Sequence, residues 1–169
     1  EHALVSQLSA LVGGRSEDLP GRVESLMARL KDAEKKLAAA EQAAVAARAA
    51  EVVAGAKRAG PYRFASADLG PVSGADALRA LALDVRQRLG EAEPAVVLIA
   101  GAANGRPIVV AATNDAARGR GARAGDLIKT AASVLGGGGG GRPDLAQGGG
   151  SDAAALPEAM AAVTRELGA

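Results

Sequence analysis

Apolar residues in the first third of the chain recur in steps of three and four. Leu4, Leu8, Leu11 and Val12 fall on one helical face, and Gly13-Gly14 provides the residue that ends such a helix in a left-handed cap. After a polar turn over 15–20, Val23, Leu26, Leu30, Ala33, Leu37, Ala40, Ala44 and Ala47 form a heptad seam. The pattern predicts a helix from Leu19 to Ala54, roughly 50 Å long at about 1.5 Å per residue. Two partners fit the seam. Packed antiparallel on the preceding helix, it makes a hairpin arm. Packed on a second copy in a parallel dimer, it places Arg29 against Glu34 and Lys36 against Glu41. Beyond Leu37 the seam is all alanine, and each Leu-to-Ala exchange gives up about 1–2 kcal/mol of burial per chain, so a dimer through this helix alone is weak.

The period changes after residue 54. Gly55 to Pro61 holds Lys57 and Arg58 before the breakers Gly60-Pro61 and reads as a domain boundary. Tyr62 to Ala67 alternates as a strand does. Ser73 is placed to cap a helix from Gly74 to Leu89 whose Leu78, Leu81, Val85 and Leu89 face a core. Ala95 to Ala102 reads as a buried strand, Asn104-Gly105 as a tight hairpin turn and Arg106 to Thr113 as the returning strand. An arginine-rich loop, 114–123, leads into a helix from Ala124 to Leu135. A glycine loop, a short strand near Ala146–Gly149 and a last helix from Asp152 to Leu167 follow. The order β-α-β-β-α-β-α predicts an α+β fold: a helical hairpin or coiled-coil arm, 1–58, followed by a mixed β-sheet covered by helices, 59–169.

Composition narrows the chemistry. Among 169 residues there is no cysteine, one histidine, one tyrosine and one phenylalanine. With its only histidine at position 2, the globular part can assemble neither a zinc site nor a Ser/His/Asp set, and no catalytic or metal-binding residue is assigned. The near absence of aromatics removes the usual platforms for stacking splayed bases. No apolar run is long enough to span a bilayer as a helix, and no membrane contact is expected. The start at Glu1 within an apparent helix, without an initiator methionine, leads us to expect a piece of a longer protein, and a cytoplasmic one.

The net charge is only +1, yet Arg106 to Arg142 carries six basic residues against Asp115 and Asp126. That stretch ends in the run Gly136–Gly150, GGGGGGRPDLAQGGG. A flexible linker would be Gly/Ser throughout, but Pro143 fixes a backbone angle and Leu145 and Ala146 can pack, so the run reads as a shaped loop. Glycine lets N–H groups converge on an anion, and Arg142 adds a planar fork of donors. A phosphate-hydrolysing P-loop is disfavoured, because Gly141 is followed by Arg142 and Pro143 and not by Lys and Ser or Thr. The candidate RNA-contacting residues are Gly139, Gly140, Gly141, Arg142, Arg118, Arg120, Arg123 and Lys129, on a glycine loop and a mobile arginine loop expected to share one face. Asp144 and Gln147 rank second, because such polar residues more often tie down their own loop.

The glycine run followed by Arg-Pro-Asp-Leu-Ala-Gln and more glycine resembles the signature of the C-terminal (C-Ala) region of alanyl-tRNA synthetase, which carries a DHH-associated globular domain. Arg123–Ile128 before the run and Ser151–Pro157 after it extend the resemblance over most of 123–169, and the helical first sixty residues suit the family. Gly138 stands where the family is expected to have lysine, and Gly148 where it is expected to have alanine. The resemblance implies binding of tRNA(Ala) at the elbow, the corner where the D and T loops meet, and tethering of the acceptor end. ATP and zinc are implied only for upstream domains, and the fragment itself is expected to hold no cofactor and to catalyse nothing. A homodimerisation module and the substrate-binding domain of a DHH-type phosphoesterase are the alternatives.

Overall fold

The computed structural model describes residues 1–168 and divides the chain into two compact units, Glu1–Ala44 and Val45–Ala169. In the first, helix α1 (His2–Val12) ends at Gly13 with φ 66°, and a 3-10 turn at Ser16–Asp18 leads into helix α2 (Leu19–Ala54). The Arg22 guanidinium donates to the Val12 carbonyl at 3.2 Å and ties the turn. Both helices stand where the periodicity predicts them. The packing of the hairpin reading does not: α1 has no buried residue, and Leu11, Leu30 and Leu37 are 83%, 60% and 60% exposed. An 11-residue α1, about 17 Å long, is too short to cover the seam as far as Leu37.

The second unit takes in the last turns of α2 and a six-stranded sheet of β1 (Lys57–Ala59), β2 (Tyr62–Pro71), β3 (Ala95–Ala103), β4 (Arg106–Thr113), β5 (Gly139–Gly141) and β6 (Leu145–Gly149). The strand order is β1-β2-β3-β4-β6-β5, and β2 and β3 are the one parallel pair of this sheet. Helix α3 (Ala75–Leu89) makes the crossover between them. Strand β3 is buried on both sides, which explains its unbroken apolar run. Its Val96 and Leu98 belong to one core with Leu127, Ile128 and Leu135 of the segment from α5 (Ala124–Val134) and Val163 of α6 (Leu156–Glu166). Its Val97 and Ile99 belong to the other core, with Leu78, Leu81 and Val85 of α3 and Ala49 and Val52 of α2. Between β3 and β4, Asn104 and Gly105 take φ 52° and 75°, the paired positive angles of a two-residue hairpin turn.

Several local expectations give way. Gly74, not Ser73, precedes α3, and no side chain caps that helix. Three residues at Lys57–Ala59, read as boundary, pair with β2 as a strand. The supposed arginine loop contains a short helix, α4 (Asp115–Gly119), capped by the Asn114 side chain, which accepts from the Ala117 amide. The last helix begins at Leu156 after a 3-10 turn at Ala153–Ala155.

Candidate nucleic-acid interface

The glycine run is a loop only at its start, over Gly136–Gly138. After α5 ends, Gly139–Gly141 extends as edge strand β5, paired with β6 in the register Gly139↔Gly148, Gly140↔Gln147 and Gly141↔Ala146. Amides along a strand alternate in direction, so they do not converge on one anion as a nest would. The glycines serve close packing instead. A Cβ on Gly139 would lie 2.4 Å from the Gly148 Cα and 2.8 Å from the Ile128 Cγ2, and a Cβ on Gly148 would lie 2.7 Å from that same methyl. Helix α5 can therefore lie directly on a backbone floor. Gly138 and Gly140 differ: a Cβ there meets nothing within 4 Å.

The Arg142-Pro143-Asp144 turn joining β5 to β6 is fastened on every residue. The Arg142 amide donates to the Leu145 carbonyl at 3.0 Å. The Pro143 carbonyl accepts from the Ala124 amide at 2.8 Å and from the Thr113 hydroxyl at 2.7 Å. The Asp144 carbonyl accepts from the Thr113 amide at 3.0 Å and from the Arg86 guanidinium at 3.1 Å. These bonds couple the end of β4, the start of α5 and α3 to one turn and leave the Arg142 side chain 75% exposed. Its Nε lies 3.2 Å from the Asp144 carboxylate, so part of the expected fork is already engaged by its own neighbour. Asp144 thus combines a backbone tie with a partner for Arg142.

The arginine segment separates into two roles. Arg118 is only 26% exposed; its guanidinium donates to the Thr113 carbonyl and pairs with Asp115, which makes it a brace at the β4–α4 corner, not a side chain on a mobile loop. Arg120 and Arg123 are exposed. The Arg120 carbonyl accepts from the Tyr62 hydroxyl at 3.0 Å, and Arg123 is the residue before α5, next to the Ala124 amide that holds Pro143. Lys129, 70% exposed and 3.8 Å from Asp126, lines a hollow of about 300 Å³ with Ser133 and Gly136–Gly139. Gln147 accepts a hydrogen bond from Arg79 of α3, and the two line a second hollow, about 250 Å³, with Gly140, Gly141, Arg142 and Leu145. Arg79 and Arg86 were not among the sequence candidates. Nothing in their spacing marks them, because β-pairing brings residues 68 and 58 positions away to them. Thr113-Asn114-Asp115 does carry a signal, an Asn and an acid at the head of a helix. Among the described residues no group of three or more His, Cys, Asp or Glu could hold a metal, and no helix is long and apolar enough to cross a membrane.

Residues 63–169 match the DHHA1 domain family. The alanine–tRNA ligase of Leifsonia xyli subsp. xyli is 51% identical over 168 residues, which is 99% of this chain and 19% of the ligase. That of Kocuria rhizophila is 58% identical over 112 residues, 66% of this chain and 12% of the ligase. The chain therefore spans less than a fifth of the length of these relatives. The crystal structure of the C-Ala domain from Aquifex aeolicus alanyl-tRNA synthetase superposes with a TM-score of 0.60 at 31% identity, covering 68% of this chain and 98% of that one. The chain belongs to the DHHA1 domain family and is a homologue of the C-Ala region of alanine–tRNA ligases.

Proposed function

We propose that this chain is the C-terminal region of a cytoplasmic alanine–tRNA ligase and that it binds tRNA(Ala) at the elbow, supplying affinity and no catalysis. The unit Val45–Ala169 is the tRNA-binding part and Glu1–Ala44 the helical arm that connects it to the enzyme. Aminoacylation, with its ATP, and zinc-dependent editing belong to the upstream domains, and a third contact at the elbow raises the effective concentration of the acceptor end at both centres.

The observation that carries this reading is the braced Arg142 turn. Its three residues are held by backbone bonds while the Arg142 side chain remains 75% exposed, and exposed Arg123 directly precedes the Ala124 amide that holds Pro143. A cation on a fixed backbone spares the loop-ordering part of the cost of meeting a phosphate and leaves only the side chain to be ordered. Without aromatic platforms, the contacts fall on phosphate and ribose and read shape more than sequence. The test is binding of the chain to whole tRNA(Ala) and to an acceptor-stem hairpin without an elbow, each at two salt concentrations. A preference for whole tRNA that weakens with salt is expected. Equal or absent binding to both overturns elbow capture.

A second reading, homodimerisation, is favoured by one observation: Leu26, Leu30 and Leu37 of the α2 seam are 46%, 60% and 60% exposed. It is compatible with tRNA binding by the other unit.

A further inference from the structure

The α3 side of the β5–β6 hairpin is built differently from the α5 side. On the α5 side Ile128 fills the space above Gly139 and Gly148. On the opposite side the strand alternation places Gly140 and its register partner Gln147, and here the space above Gly140 is empty. The result is the hollow of about 250 Å³ whose floor is glycine backbone and whose lining includes Arg79, Arg142 and Gln147. Arg79 comes from α3 and Arg142 from the turn, so arginines on two different elements border one hollow, which Gly140 and Gly141 line together with Leu145 and Ala146. Arg79 is 41% exposed and is held toward the hairpin by its bond to the Gln147 side-chain oxygen. That bond uses the amide oxygen and leaves the Gln147 side-chain nitrogen as a donor.

We infer that this hollow is a binding site for a phosphodiester group of the RNA backbone, with Arg79 and Gln147 joining Arg142 as its ligands. The inference rests on the tRNA-binding reading and gives it a face of the sheet. Two carboxylates border the arginines. Asp76 is 97% exposed and 3.6 Å from Arg79, and Asp144 takes the Nε edge of Arg142. Each engages only part of a five-donor group, so a phosphate takes the remaining donors; it displaces the 97% exposed Asp76 at little cost, while Asp144, whose side chain is 33% exposed, keeps the Nε edge of Arg142. The empty position above Gly140 matters as much as the charge, because any Cβ there would stand where the phosphate must approach.

The experiment compares the 169-residue chain and two variants, Arg79→Ala and Arg79→Gln, for tRNA(Ala) affinity across salt, with thermal unfolding as the control for folding. Both variants are expected to bind about 5- to 100-fold more weakly, with the salt slope lowered by about one. Pyrophosphate titrated onto the isotopically labelled chain is expected to shift the Gln147 side-chain amide and the Gly140 amide in the wild type and not in Arg79→Ala. Wild-type affinity and slope in folded Arg79 variants overturn this site while leaving tRNA binding intact. If wild-type chain does not bind tRNA, the tRNA reading fails, and the pyrophosphate shifts alone decide the anion site: their absence overturns it.

Discussion

Gly139 and Gly140 are adjacent glycines with opposite surroundings, and substitution separates packing from access. Gly139→Ala drives a methyl into the Gly148 backbone and Ile128, so it is expected to cost about 1–3 kcal/mol in urea-induced unfolding, the usual range for overpacking. Gly140→Ala meets nothing within 4 Å and is expected to change stability by less than about 1 kcal/mol, in either direction. Equal destabilisation by the two would contradict the strand register. Arg142→Ala is expected to weaken tRNA binding by about 1–3 kcal/mol and to lower the salt slope by about one. Asp144→Asn keeps the backbone ties and releases the guanidinium, so affinity should hold or tighten; a tenfold loss would show instead that the Asp144 carboxylate itself meets the RNA, for example at a ribose hydroxyl. At this scale the sequence showed Arg142, because Pro143 and the flanking glycines single it out. It did not show that Arg118 is a brace, since charge alone does not distinguish an arginine bonded to a carbonyl from one facing solvent.

Short elements hold the long ones in place. Asn114 is 1% exposed, and its side chain accepts from the Ala95 and Ala117 amides at 2.9 Å each and donates to the Gly90 and Glu93 carbonyls at 2.9 and 2.7 Å. One residue thus joins the end of α3, the start of β3 and the cap of α4. Asn114→Ala leaves buried backbone groups without partners and is expected to cost at least about 2 kcal/mol, read as a lower denaturant midpoint. Asn114→Asp keeps the two accepting bonds but turns a carboxylate oxygen onto the Gly90 and Glu93 carbonyls in a buried site, so at neutral pH it should cost at least as much as Ala; a midpoint at the wild-type value would remove the donating bonds from the account. The elements legible beforehand included those marked by a helical period, α1, α2 and α3, and those marked by an apolar run, β3 and β4, with the Asn104-Gly105 turn between the last two. Strand β5 was not legible for a physical reason. A strand made of glycine has no alternation to read, and it is defined only by the backbone bonds it makes with β6. Strand β1 is too short for a period, and α4 was hidden by the glycines that follow it.

The two units have different sources of stability, and this separates the two proposed activities. Val45–Ala169 contains both apolar cores, whereas Glu1–Ala44 has an exposed leucine seam and no buried residue. A chain cut to 45–169 is therefore expected to unfold cooperatively and to bind tRNA within a few-fold of the whole chain, since every candidate contact lies within it. The proposed self-association belongs to the other unit. In a parallel pair Leu30 and Leu37 face their counterparts, with Arg29 beside Glu34 and Lys36 beside Glu41 of the second copy. The alanines that continue the seam add little burial, so the association is expected to be weak and reversible, visible by sedimentation equilibrium only at high micromolar concentration. Leu30→Glu places like charges across that seam and should leave a monomer at all concentrations, with tRNA affinity unchanged. A wild-type chain that is monomeric at high micromolar concentration removes the dimer reading. A Leu30→Glu chain that loses tRNA affinity would show that pairing, and not the second unit alone, presents the RNA-binding surface.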